Sequence, residues 1–189
     1  MTKKTITLYT FLVAVPLTAF LIWPFGNISS WFADWNLYGV YKTFFSWVGD
    51  KATLEKIPQP LIDKLDKYYD NNLKDTRFSY TGKFKDLAMT DCYNVYFGDK
   101  KMTDAIKNNT MNETQTRWLL HELAHTEQCY KINGRKNYAK MWFKQMISSI
   151  KPPYTSDLVK KIHDKMPMET QAESKKEAVW QELKKSSAK

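Results

Sequence analysis

The chain has 189 residues and a formal net charge of +9, and 43% of its residues are hydrophobic and 15% aromatic. This length allows one domain of roughly 130–150 residues plus a targeting segment, and seven tryptophans exclude general disorder. The positive charge forms no arginine-rich stripe or recognition motif, so no nucleic-acid partner is expected. Solubility, or attraction to an anionic membrane surface, is the simpler explanation of the charge.

The amino terminus has the pattern of an export signal. Lys3 and Lys4 precede a nearly uncharged run, residues 6–26, which is long enough to cross a bilayer as a helix. Because no positive charge follows until Lys42, the amino terminus should stay in the cytoplasm and the remainder should be exported. We interpret residues 1–27 as a signal anchor or a signal peptide. The long apolar run and the lack of an Ala-x-Ala site favour the anchor.

This pattern predicts an exported bacterial protein that contacts the membrane through its N-terminal helix. It would be anchored in the inner membrane, facing the periplasm or the extracellular side, or secreted if the signal is cleaved.

Residues 28–50 are predicted to form an aromatic amphipathic helix, because large apolar side chains recur there every three or four residues. The helix could pack on the domain that follows, or it could lie at the membrane interface, where tryptophan and tyrosine are favoured. The side chains that set this period are Trp31, Trp35, Tyr38, Tyr41, Phe45 and Val48.

Residues 51–189 are predicted to form one α+β domain, mostly helical, with a small β-sheet before its central helix and an N-terminal hydrophobic helix ahead of it. Proline at position 60 begins a short predicted helix, and alternating aromatic and polar residues between 77 and 97 predict strands. Residues 99–109 are predicted to be a short helix or a loop. Beyond Asn112 the pattern is helical almost to the end, with breaks at Asn133-Gly134 and at Pro152-Pro153.

The central predicted helix contains the motif WLLHELAH, in which His121 and His125 are four residues apart. Both rings therefore project from one face of the helix and can meet a single ion, and neutral imidazoles at this spacing are common Zn²⁺ ligands. Glu122 lies about 100° further round the helix, where it can act as general base on a zinc-activated water. The alternative is an amphipathic helix with two ordinary histidines, but its apolar flanks place them on a buried helix, where imidazoles need a partner.

A third metal ligand is predicted in the segment MPMETQAES. Pro167 suits the first turn of a helix, on which Glu169 and Glu173 share one face. Glu169 is the candidate ligand, and Glu173 is the candidate acceptor for the outer N–H of a ligating histidine. Otherwise both would be solvated charges on a helix that carries several.

These residues resemble a known family. LLHELAHTEQ followed by PMETQAE is similar to the zincin-like zinc metallopeptidases of the gluzincin type, and most similar to a group of uncharacterised bacterial domains with an LLxHELxHxxQ helix. The resemblance covers about residues 89–173. It implies that His121, His125 and Glu169 bind zinc and that Glu122 is the general base. It also implies a structural role for the family glutamine, here Gln128.

The resemblance implies a zinc-dependent peptidase that acts on a protein or peptide substrate. This chain departs from the pattern in two ways, because the spacing from His125 to Glu169 is longer and no residue is clearly assigned to stabilise an oxyanion. His163 and Tyr154 are candidates for that role. The alternatives are a catalytically silent zincin-like binding or structural module at the cell envelope, and a membrane-surface module built on residues 28–50.

Two cysteines, Cys92 and Cys129, complete the candidate residues. In an exported domain they can form a disulfide that closes a loop of about 37 residues, worth roughly 3–4 kcal/mol on the chain-entropy model. Cys129 lies one turn beyond His125, so it could instead be a fourth zinc ligand, which would close the position that a catalytic zinc keeps open. We favour the disulfide, with free buried thiols as a further alternative.

Overall fold

The structure, a computed structural model, describes residues 29–149 and 165–187. The predicted export segment, residues 1–27, lies outside the described residues. No helix in the described part is both long and apolar enough to span a membrane. In chain order the elements are α1 (Ser29–Val48), β1 (Glu55–Lys56), α2 (Gln59–Leu65), β2 (Arg77–Tyr80), β3 (Ala88–Asp91), β4 (Asn94–Phe97), α3 (Lys100–Lys107), α4 (Glu113–Lys131), α5 (Arg135–Ser149) and α6 (Pro167–Ser187).

The predicted α+β class, mostly helical with a small sheet before the central helix, is confirmed. The sheet has four strands in the order β1-β2-β4-β3. β1 and β2 are antiparallel, β2 and β4 are parallel, and β3 and β4 form an antiparallel hairpin in which Thr90 is paired with Val95. β3 is therefore an edge strand, and it lies against α4.

Helix α1 packs on the domain. Tyr41 and Val48 are buried, and Tyr41 belongs to an apolar cluster with Tyr138 and Phe143 of α5. At the carboxyl end of α1, the Thr81 hydroxyl donates a 2.8 Å hydrogen bond to the Val48 carbonyl. From residue 37 onward, where its side chains are described, this aromatic helix is thus a structural part of the domain.

The helix predicted from residue 60 is shorter than the sequence pattern indicated. It ends at Leu65, and single 3₁₀ turns follow at Asp66–Tyr68 and Leu73–Asp75. Tertiary hydrogen bonds compete with the helix here. The Tyr69 hydroxyl donates to the Leu120 carbonyl at 3.0 Å, and the Asp70 amide donates to a carboxylate of α4 at 2.9 Å. Extended backbone at Tyr69 makes both bonds available.

Helix α4 runs through the centre of the domain, and local signals in the sequence determine where it begins and ends. Asn112 and Gln115 form a reciprocal capping box at its amino end. At its carboxyl end Asn133 and Gly134 have positive φ angles of 61° and 98°, and the Gly134 amide donates to the Cys129 carbonyl at 2.9 Å. This left-handed exit satisfies a terminal carbonyl.

The main core lies between the sheet and helices α2, α3, α4 and α6. One face of α4 contributes leucines at 119, 120 and 123, and these pack against Phe78 and Phe97 of the sheet. The histidines of α4 lie toward α6, which packs along it. The core residues that α6 supplies are Ala172, Val179 and Leu183.

Candidate metal centre

His121 and His125 converge because α4 is regular through the motif. Their Nε2 atoms are 3.2 Å apart, and their rings meet edge to face with centroids 4.8 Å apart. The side chain of His125 is 6% exposed and that of His121 is 17% exposed. The pair is therefore largely buried, and His121 is the more exposed of the two rings.

Glu169 meets the histidines from the first turn of α6. Its Oε2 atom lies 3.2 Å from the Nε2 atom of His121 and 3.2 Å from that of His125. The start of α6 is held in place by two glutamines. The Met168 amide donates to Oε1 of Gln145 at 2.9 Å, and the Met168 carbonyl accepts from Nε2 of Gln128 at 2.7 Å.

Gln128 also sets the protonation of His125. A backbone carbonyl can only accept, so the bond to Met168 assigns the amide nitrogen of Gln128 and turns its Oε1 toward the ring. This oxygen lies 2.9 Å from Nδ1 of His125 and accepts a hydrogen bond from the N–H group there. In the neutral ring Nε2 is then unprotonated, and its lone pair points to Glu169.

Glu173 has the same effect on His121. One of its oxygens lies 3.4 Å from Nδ1 of His121. The pKa of Glu173 is lowered, mainly by its hydrogen bond with Lys176 and also by His121. A charged carboxylate beside Nδ1 favours the tautomer with its proton there, so Nε2 of His121 also presents a lone pair inward.

Three electron-pair donors therefore form a nearly equilateral triangle with sides of 3.2 Å. Ligands 2.0–2.1 Å from a tetrahedral ion are about 3.3–3.4 Å apart, so an ion can sit equidistant from all three. The cluster of His121, His125 and Glu169 can thus hold a metal ion. Burial alone would lower the pKa of His125, but hydrogen bonding to Glu169 and the nearby carboxylates outweigh it and raise that pKa to about 9. The site attracts positive charge.

Glu122 is buried, with 5% of its surface exposed. Its Oε2 accepts a 2.6 Å hydrogen bond from the Thr90 hydroxyl of β3, and its charge helps to raise the pKa of His125. The candidate base therefore lies beside the metal cluster and in contact with the edge strand. Sequence reasoning missed Thr90, because only the pairing of β3 with β4 places it opposite α4.

Tyr138 of α5 is a second residue that sequence reasoning did not connect with the site. It is buried and shares an apolar cluster with Met168. Burial raises the pKa of its phenol well above the usual range, and the negative charges of Glu169 and Glu122 raise it further. Tyr138 is thus a neutral hydroxyl beside the two carboxylates. The oxyanion candidates from the sequence, Tyr154 and His163, lie outside the described residues.

The disulfide between Cys92 and Cys129 is confirmed. It joins the β3–β4 turn to the last turns of α4, with Cα atoms 5.2 Å apart. Cys129 is therefore not a thiolate ligand, and the described donors around the cluster number three. A disulfide also indicates an oxidising, extracytoplasmic environment.

No family model, no curated protein and no solved structure matches this chain.

Proposed function

We propose that this protein is an exported zinc metallopeptidase of the zincin-like, gluzincin type. The observation that carries the proposal is the triangle of inward-facing donor atoms from His121, His125 and Glu169. Two imidazole nitrogens and a carboxylate oxygen that lie 3.2 Å from one another need a proton or a metal ion between them, and the raised pKa of His125 shows that this cluster favours positive charge. Residues that force this arrangement are best explained by a bound metal.

The donor set favours zinc. Two imidazole nitrogens and one carboxylate oxygen are the protein ligands of one well-known type of catalytic zinc site, whose fourth position stays open. Outer-sphere partners on both histidines, Gln128 and Glu173, strengthen this assignment because they orient the rings and increase their basicity. Softer metals that prefer sulfur are disfavoured, since Cys129 is bonded to Cys92.

When bound, zinc supplies Lewis acidity that polarises a carbonyl and lowers the pKa of a coordinated water toward about 7. Glu122 would accept the proton from the attacking water and deliver it to the leaving amine. Its Oε2 is engaged by Thr90, so the other oxygen is the one that transfers the proton. Tyr138 would remain a neutral hydrogen-bond donor throughout, which suits a developing oxyanion.

The location follows from two separate features. The disulfide is stable in an oxidising compartment, and residues 1–27 have the pattern of an uncleaved signal anchor. We therefore infer a domain outside the cytoplasm, held to the membrane by its amino terminus, with a protein or peptide as substrate. Nothing in the charge pattern supports a nucleic-acid partner.

The test uses the full chain, because α1 contributes buried residues to the domain. Metal analysis of the purified protein should give about one zinc per chain, and His121→Ala should hold none. Glu122→Gln should keep the zinc and lose cleavage of a peptide library by about 10²–10⁴-fold, the usual contribution of a general base. Zinc-free wild-type protein would defeat the proposal. Zinc-loaded protein that cleaves nothing would favour a silent binding module.

A further inference from the structure

We propose that Thr90 is the positioning residue for Glu122, and that its hydroxyl holds the carboxylate in the orientation that proton transfer at the metal centre requires. This inference rests on the proposed function, since it assigns a role within the same site. The edge strand β3 then contributes a functional residue to the site, although the WLLHELAH motif lies entirely on α4.

The contact is short and enclosed. The Thr90 hydroxyl lies 2.6 Å from Oε2 of Glu122 and 3.5 Å from the Glu122 carbonyl. Thr90 is 7% exposed and Glu122 is 5% exposed. An ionised carboxylate can only accept, so the hydroxyl is the donor. A charge-assisted bond of this kind is roughly twice as strong as a neutral one.

Thr90 is itself held on a rigid element. Its strand is paired with β4 through Val95, and Cys92, in the turn that directly follows the strand, is bonded to Cys129. Glu122 and Cys129 are seven residues apart, close to two full turns, so they share one face of α4. Two adjacent links, one covalent and one a hydrogen bond, therefore join β3 and the turn after it to this face of the helix.

The Thr90 hydroxyl restricts the rotation of the Glu122 carboxylate. The terminal torsion of glutamate is broad and roughly two-fold, so a carboxylate without a partner samples many orientations. With Oε2 hydrogen-bonded to Thr90, the other oxygen, Oε1, is available to the substrate water. Within the described residues no other group is hydrogen-bonded to Oε1. Catalytic geometry tolerates errors of only about 0.5 Å, so this restraint should appear in kcat.

The experiment compares three zinc-loaded variants of the full chain. Thr90→Val is nearly isosteric and removes the donor, whereas Thr90→Ser keeps it. Thr81→Val is the matched control, because Thr81 is a buried threonine that follows β2 and donates to the Val48 carbonyl of α1. Zinc content, kcat and KM are measured, together with the affinity of a short peptide hydroxamate, which ligates zinc and hydrogen-bonds a neighbouring carboxylate without turnover.

Thr90→Val should lower kcat by about tenfold, less than removal of the base itself, with KM within about twofold and zinc content unchanged. Hydroxamate affinity should fall in parallel, Thr90→Ser should recover most of both losses, and Thr81→Val should show neither. A fully active, zinc-loaded Thr90→Val would overturn the inference alone, as would equal losses in the Thr81 control. Wild-type protein without zinc would instead overturn the proposed function.

Discussion

Helices α4 and α6 bury two carboxylates in one interface, and their surroundings are opposite in character. Glu127 and Glu169 are almost equally buried, at 4% and 6% exposure. The Oε1 atom of Glu127 accepts from the Asp70 amide at 2.9 Å and from Lys175 at 3.1 Å, and Lys131 lies 3.3 Å away. Glu127 therefore meets donors and cations that belong to the chain.

Glu169 meets two imidazole nitrogens instead. The described atoms 3.2 Å from its Oε2 are the Nε2 atoms of His121 and His125, and the Nδ1 atoms on the far side of the two rings face Glu173 and Gln128. Burial is therefore no guide to which carboxylate is functional. The neighbours decide, because Glu127 lies among amide and ammonium donors, whereas Glu169 faces two imidazole nitrogens that can hold either a proton or a metal ion.

The largest expected effect is the loss of zinc on replacing Glu169. Glu169→Gln keeps the size of the side chain but removes a charged ligand, so zinc affinity should fall by at least about 10³-fold, or about 4 kcal/mol. Competition with a chromophoric chelator measures this affinity. If Glu169→Gln binds zinc as tightly as the wild-type protein does, the two carboxylates do not differ in the way described above.

Opening the disulfide should lower stability without affecting either carboxylate. Cys92→Ser combined with Cys129→Ser should lower the free energy of unfolding by about 3–4 kcal/mol, since a loop of about 37 residues is no longer closed in the unfolded chain. Urea unfolding with and without reductant measures this. Zinc stoichiometry of the folded variant should stay at one, because all three donors are on α4 and α6.

Removing an outer partner of the metal ligands should have an intermediate effect. Gln128→Ala frees the His125 ring and should weaken zinc binding by about 10–100-fold, the usual cost of losing an outer-sphere hydrogen bond. Isothermal titration with zinc measures the change. Gln115→Ala is the control on the same helix, because it removes the capping box and should lower helix stability while leaving zinc affinity as it is.

The smallest expected effect concerns Glu127. Glu127→Gln removes a charge bonded to two partly exposed lysines, so solvent screening limits the loss of unfolding free energy to about 1–2 kcal/mol. Zinc affinity, measured by the same chelator competition, should not change. A loss of zinc equal to that of Glu169→Gln would show that the interface responds as one unit, and the contrast between the carboxylates would fail.

Local sequence determined the elements that carry the candidate site. Asn112 predicted where α4 begins, and Asn133-Gly134 predicted where it ends. Within a regular helix, four-residue spacing brings two histidines together whatever surrounds them. Pro167 likewise predicted the start of α6. For these features a few neighbouring residues are sufficient, because helix geometry is a short-range property.

Tertiary structure decided which groups meet across those elements. The sequence alone does not show that Thr90 faces Glu122, that Gln128 spans His125 and the Met168 carbonyl, or that Glu127 lies against lysines while Glu169 lies against two histidines. Those pairings depend on how β3 is paired and how α6 packs along α4. Packing brings apolar side chains from distant parts of the chain into contact. The polar side chains beside them are then brought to partners that no local sequence pattern indicates.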